Sequence, residues 1–134
     1  AGGLGGGMVA FLGADLRTGV DIVLDVVGID AHLDGADLVV TGEGCLDYQT
    51  VYSKAPIGVA KRASLRDIPV IAISGSLGRH YNLVHEHGID AAVAIPQGPI
   101  TLKESSKRAA ELTADATEEA MRMLKVGGRL FSGA

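Results

Sequence analysis

Glu43, Asp47 and Lys54 fall close together in the stretch TGEGCLDYQTVYSK, which runs from Thr41 to Lys54. A carboxylate can hold Mg2+ or take a proton from a hydroxyl. A lysine can hold a phosphate or carboxylate as a point charge, and Lys54 opens a helical pattern whose N-terminal dipole favours the same anion. Gln49, Thr50 and Ser53 add groups that hydrogen-bond a small polyol or carboxylate. Together they suit a small, oxygen-rich, anionic ligand. Gly42 and Gly44 flank Glu43, yet a bare Gly-Glu-Gly is equally the turn that ends a strand. It is neither G-x-G-x-x-G, because Leu46 and Asp47 stand where a third glycine is needed, nor a Walker A loop. Its length argues for more: a plain connection takes roughly two to six residues, and here about eleven pass before a helical pattern resumes.

Ser74-Gly75-Ser76 is the second candidate. Its hydroxyls and glycine at a strand end suit a phosphate or a carboxylate, and they suit an ordinary tight turn as well. Gly98 and Thr101 read as a helix cap. The four histidines form no ligand set: His85 and His87 are two apart, and His80 has no partner at ligand spacing. Cys45 lies beside two acids, the wrong surroundings for a low-pKa thiolate. Met121 and Met123 are expected as core filling.

The elements that must position these residues alternate. Residues 5–13 form an apolar helical pattern. RTGVDIVLDVVGIDAHLDG is a second, with Thr18 as N-cap and Val20, Val23, Leu24, Val27 and Leu33 at helical spacing. ADLVVTG, IPVIAISGS and DAAVAIPQGP are short β-branched runs ended by Gly42, Ser74-Gly75-Ser76 and Pro96. Between them lie KAPIGVAKRASLR, with Pro56 tolerable only in a first turn, and RHYNLVHEHG, ended by Gly88. The last segment, TLKESSKRAAELTADATEEAMRMLK, is expected as one long amphipathic helix with the Thr101–Glu104 capping box, ended by Gly127 and Gly128. The expectation is an α/β fold: a three-layer parallel sheet with helices on both faces, Rossmann-like or flavodoxin-like. Residues 1–34 form a helical lead-in and 35–128 strand–helix repeats, the whole chain 1–134 being one α/β region. In such sheets ligands bind outside the carboxyl ends of the strands, which are the glycine-rich candidate loops.

The 134 residues are ample for a hydrophobic core. With 47% apolar and 21% charged residues, the chain is globular, not disordered. A net charge of -4 offers no footprint for nucleic acid. No apolar run reaches the roughly 20 residues that span a bilayer, and no secretory signal is visible. The single cysteine cannot form an internal disulfide and fits a reducing cytoplasm. Nineteen glycines and the opening AGGLGGGMVAFLGA, without an initiator Met, suggest that residue 1 is a cut point inside a longer protein. Gly3, Gly6 and Gly7 would suit a helix packed close to another backbone or a ligand.

Over AGGLGGGMVAFLGADLRTGVDIVLDVVGI, ADLVVTGEGCLDYQTVYSKAPIGVAKRA and IPVIAISGS the chain resembles the C-terminal part of the type-I glycerate kinase family. The resemblance covers almost all of the chain, and the strand and loop from ADLVVTGEG to KAPIGVA are its most specific section. It implies roughly the last third of a two-domain α/β enzyme that phosphorylates D-glycerate with ATP and Mg2+ in an interdomain cleft. The family's loop reads GEG, Arg, a variable residue, Asp, a variable residue, Gln-Thr, two variable residues, then Gly-Lys. Glu43, Asp47, Gln49, Thr50 and Lys54 keep that pattern, while Cys45 replaces the arginine and Ser53 a glycine. The implied roles are catalytic for Asp47 and Lys54 and substrate-binding for Glu43, Gln49 and Thr50. Gly42, Gly44, Ser74, Gly75 and Ser76 would hold phosphate or nucleotide, and no metal ligand is assigned. The implied partners are D-glycerate, ATP and the missing N-terminal part of the chain, with a homodimer left open. Two other readings stay open: a non-catalytic sugar-acid or nucleotide-binding module, signalled by Cys45 and Ser53, and a scaffold without ligand, in which the rim glycines are only turns.

Overall fold

In a computed structural model, residues 2–52 and 54–131 are described. Three helices, α1 (Leu4–Leu12), α2 (Gly19–Val26) and α3 (Ile29–Leu33), precede strand β1 (Val39–Thr41). Helix α4 (Ala55–Ser64) leads to β2 (Val70–Ser74), and a 3-10 helix (Tyr81–His87) leads to β3 (Ala91–Ala94). Helices α5 (Leu102–Lys107) and α6 (Ala109–Phe131) follow. The strands form one parallel sheet in the order β1-β2-β3, with Val39 opposite Val70 and Ile71 opposite Ala91.

Central strand β2 is buried along its whole length, and its alternation sorts the core into two faces. Val70 and Ala72 pack with Leu33, Ile57, Ala60 and Val84, under α3, α4 and the 3-10 helix. Ile71 and Ile73 pack on the other face with Ile95, Leu112 and Ala116, under α6. This is the expected three-layer arrangement. Each crossover is apolar on one side only, so it must cover the sheet, and parallel strands require such crossovers.

Helix α4 is also pinned from outside. Arg62 reaches Asp25 and Asp30, each at 2.6 Å, and Arg66 reaches Asp30 at 3.0 Å and Asp34 at 2.8 Å. Arg17 closes the ladder on Asp25. The hydrogen bonds from Arg17 and Arg62 hold the Asp25 carboxyl below the usual carboxylate range. Asp90 performs a quieter task, accepting the Val70 amide at 2.7 Å where β2 begins.

Several helical expectations change. The second helical pattern is broken at Gly28, which takes φ +65 between α2 and α3. Only Leu24 and Leu33 of its stripe become buried, while Val23 and Val27 stay 58% and 53% exposed. The final helix is interrupted at Arg108, separating α5 from α6, although the Thr101 cap holds: its hydroxyl accepts the Glu104 amide at 3.2 Å. Gly127 and Gly128 do not end it. Neither takes the left-handed conformation that caps a helix, and α6 continues to Phe131. Met123 is 66% exposed, not core filling. Helix α1 buries none of its residues, and no other part of the described chain comes within 4 Å of a Cβ built on Gly3, Gly6 or Gly7. No helix among the described residues is long and apolar enough to cross a membrane.

Candidate functional site

The carboxyl ends of all three strands share one edge, as the topology requires for parallel neighbours. The loop after β1 does not hang free there. It runs beside the loop after β2 and continues the ladder: Gly75 N–H donates to the Glu43 carbonyl at 3.0 Å, Leu46 N–H to Ser76 at 3.0 Å and Gly78 N–H to Leu46 at 2.7 Å. Leu46 pairs with Leu77 in a parallel bridge and is fully buried. This single apolar residue anchors an otherwise polar loop.

Two glycines are demanded by that close approach. A Cβ at Gly42 would lie 2.0 Å from the Ile73 carbonyl oxygen, and one at Gly75 would lie 2.4 Å from the Gly44 oxygen. Both contacts are with backbone, which cannot step aside. Ser74 is likewise occupied: it is 1% exposed and donates to the Ser76 carbonyl at 3.0 Å. Gly42, Ser74 and Gly75 therefore serve the joint between two loops. Gly44 differs, since a Cβ there would meet nothing within 4 Å.

Around this joint the charged residues converge. Lys54 Nζ lies 3.3 Å from Glu43 Oε2 and 3.8 Å from Asp47 Oδ1. Thr50 donates to Glu43 Oε1 at 2.5 Å and accepts the Asp47 amide at 3.0 Å. It is fully buried. Asp47 Oδ1 accepts the Gln49 amide at 2.8 Å, an Asx turn that sets the carboxylate's direction. Gln49 itself is exposed, its side chain reaching the Tyr48 hydroxyl at 3.1 Å. Lys54 takes the N-cap position of α4 with extended backbone and no side-chain cap, and Pro56 sits in the first turn as expected. The predicted Glu43, Asp47, Thr50 and Lys54 are thus brought into one connected cluster, and Gln49 joins it through its backbone. Ser53 lies outside the described residues.

Cys45, at the position the resemblance gives to an arginine, is half-buried: its sulfur is 3.9 Å from the Leu46 carbonyl oxygen and would lie 3.1 Å from a Cβ on Gly78. His80 is exposed and accepts from Arg79 Nε at 3.0 Å, while His85 Nδ1 lies 2.7 Å from the Ile89 carbonyl. No group of three His, Cys, Asp or Glu that could hold a metal occurs among the described residues. The cluster carries two carboxylates against one ammonium, so an anionic ligand would need further positive charge. Mg2+ fits such a donor set, because it is usually held by one or two carboxylates together with phosphate oxygens and water, not in a protein-only cage.

Beside the cluster, an open cavity of about 400 Å3 is lined by the ends of all three strands and by α5, including Gly44, Ser76, Ile95, Ile100, Leu102 and Ser105. Of the residues expected to bind phosphate or nucleotide, Gly44, Gly75 and Ser76 face this space; Gly42 and Ser74 do not line it. The α5 residues and Ile100 had no chemical signature in the sequence. Only the fold brings them to the rim.

The chain matches the profile of the Glycerate kinase family over residues 1–125. It is 54% identical over 111 residues to a glycerate kinase of Bacillus cereus, a match covering 83% of this chain and 29% of that one. Against a glycerate kinase of Bacillus subtilis it is 44% identical over 131 residues, covering 98% of this chain and 34% of the relative. A protein described as a glycerate kinase 2, from Salmonella typhimurium LT2, has a crystal structure that superposes with a TM-score of 0.69 at 41% identity, over 96% of this chain and 33% of that one. The chain spans about a third of the length of these relatives. The sheet, the rim loop and these likenesses agree: this chain belongs to the glycerate kinase family.

Proposed function

We propose that this segment supplies one wall of the phosphoryl-transfer cleft of a longer, two-domain kinase that phosphorylates D-glycerate with ATP. The observation that carries the reading is the Glu43–Thr50–Asp47–Lys54 cluster at the carboxyl edge of the sheet. Asp47 is the proton acceptor. Its Oδ1 accepts the Gln49 amide, which sets the carboxylate's direction, and Oδ2 is the oxygen that meets the attacking hydroxyl. As that oxygen bonds to the terminal phosphorus, Asp47 takes its proton. The phosphorus–oxygen bond to ADP breaks, and its electron pair leaves with ADP.

Lys54 exchanges part of its contact with Glu43 and Asp47 for a phosphoryl oxygen, where a positioned ammonium stabilises developing charge. Thr50, buried and bonded to both acids, holds them in place and does not touch the ligand itself. Glu43 is the residue of this chain that would help hold Mg2+, which when bound would neutralise phosphate charge. The lone cysteine supports the reducing cytoplasm as the compartment.

A coupled assay of the full-length protein with D-glycerate, ATP and Mg2+ tests the reading, and glycerate-dependent ADP release is expected. Its absence would leave the non-catalytic module, which Cys45 in place of a fixed cation favours. Glycerate would then still raise the unfolding temperature, because a ligand that binds only the folded state stabilises it.

A further inference from the structure

We infer that the cavity of about 400 Å3 between the strand ends and α5 holds the nucleoside of the nucleotide, whose phosphates cross Gly44 to reach Asp47 and Lys54. This rests on the kinase reading and names the subsite that the charged cluster leaves undefined.

The lining decides the ligand class. Ile95, Pro96, Ile100, Leu102 and Ala109 supply apolar wall, and no lining residue carries a charged side chain. Glycerate is a small anion rich in hydroxyls and would find no counter-charge here. A flat, uncharged heteroaromatic ring loses little by leaving water for such walls, and the hydroxyls of Ser76, Ser105 and Ser106 offer hydrogen bonds at its edges. Leu102 is 84% exposed although it lines the cavity, which suits a residue that closes over a bound ring. The volume lies within the range of small-molecule sites, roughly 300 to 1,000 Å3.

Gly44 provides the connection. It lines the cavity and is also the residue after Glu43, in the loop that carries Asp47. Gly42 and Gly75 are glycine because backbone stands where their Cβ would be. Gly44 has no such neighbour and does not take a positive φ, so nothing in the described chain requires it to lack a side chain. A Cβ on Gly44 would stand in open space beside the cavity, so a phosphate chain leaving the cavity can run over this glycine toward Asp47 and Lys54.

Ser106→Trp in the full-length protein fills the cavity from its α5 side, far along the chain from Asp47 and Lys54. Leu102→Ala removes an exposed side chain and cannot unfold the core. ADP and pyrophosphate affinities are measured by calorimetry, and KM for ATP and for D-glycerate by steady-state kinetics. Ser106→Trp is expected to weaken ADP binding and raise the KM for ATP by about tenfold or more. Pyrophosphate affinity, KM for glycerate and the unfolding midpoint should stay near wild type. Leu102→Ala should weaken ADP alone, by about threefold. Unchanged ADP affinity in both variants overturns the subsite, as does an equal loss for pyrophosphate or a rise confined to KM for glycerate. A wild-type protein that binds ADP without phosphorylating glycerate would refute the kinase reading separately, and the ADP titrations would still decide the cavity.

Discussion

The two ends of α4 handle charge in opposite ways. At its C-terminal end Arg62 and Arg66 meet Asp25, Asp30 and Asp34 in short contacts, and with Arg17 the ladder sets three arginines against three aspartates. Cations there also agree with the helix dipole. At the N-terminal end Lys54 stands against the dipole, held at 3.3 and 3.8 Å by two carboxylates. A helix built only for stability would place an acid at that position. The balanced end is a clasp that joins α4 to α2 and α3; the unbalanced end holds its cation at longer contacts, which under the proposed function are exchanged for a ligand.

The largest expected effect comes from breaking the unbalanced end at Asp47, the proton acceptor of the proposed function. Asp47→Asn in the full-length protein should lower kcat by about two to four orders of magnitude while leaving the unfolding midpoint close to wild type. Turnover within tenfold of wild type would remove Asp47 from the chemistry. Next is Thr50→Val, which keeps the shape but deletes the hydroxyl shared by Glu43 and Asp47. It should cost about 1–3 kcal/mol of stability, because a buried amide and a carboxylate oxygen lose their partner. It should also lower kcat more than it raises KM for glycerate. Thr50→Ser should restore kcat, and if Ser and Val behave alike the hydroxyl does not position the acids.

The balanced end should answer differently. Arg62→Met should lower the unfolding midpoint modestly, by an amount that shrinks in high salt, and leave kcat and both KM values unchanged. A kinetic defect as large as that of Asp47→Asn would erase the distinction between the two ends. The smallest effect is the pH dependence of the clasp. The Asp25 carboxyl is held below its unfolded value by its hydrogen bonds to Arg17 and Arg62. Its contribution is therefore fully present above the ordinary carboxylate pKa of about 4 and is lost as pH falls through the depressed folded value. Acid-unfolding curves of Arg62→Met should be correspondingly flatter on that limb than those of wild type.

The contrast between the ends of α4 was only half legible in the sequence. Lys54 and its acids stood out because polar groups were crowded after an apolar run. The ladder did not, since arginines and aspartates spaced along helical segments are also what an ordinary solvated helix face carries. Thr50 was visible as a polar side chain that could meet a ligand, but its burial and its two hydrogen bonds depend on the loop folding back over β2. Leu46 drew attention only as the residue that spoils a glycine motif, and it proved to be the anchor of the whole loop.

The sequence alone determined what depends on neighbours in the chain. Alternation of short β-branched runs with amphipathic segments specified a parallel α/β layer, and residue types specified the Thr18 and Thr101 caps and the acid–lysine loop. The rest was decided where distant segments meet. Gly28 breaks one helix and Gly127 fails to end another, because a glycine's effect depends on the backbone conformation its surroundings impose. Whether Gly42, Gly44 or Gly75 makes room for backbone or for a ligand depends on what faces it, and for Gly42 and Gly75 that neighbour belongs to a different strand or loop. Local preference fixes which elements form; only close packing between them fixes which side chains remain free to act.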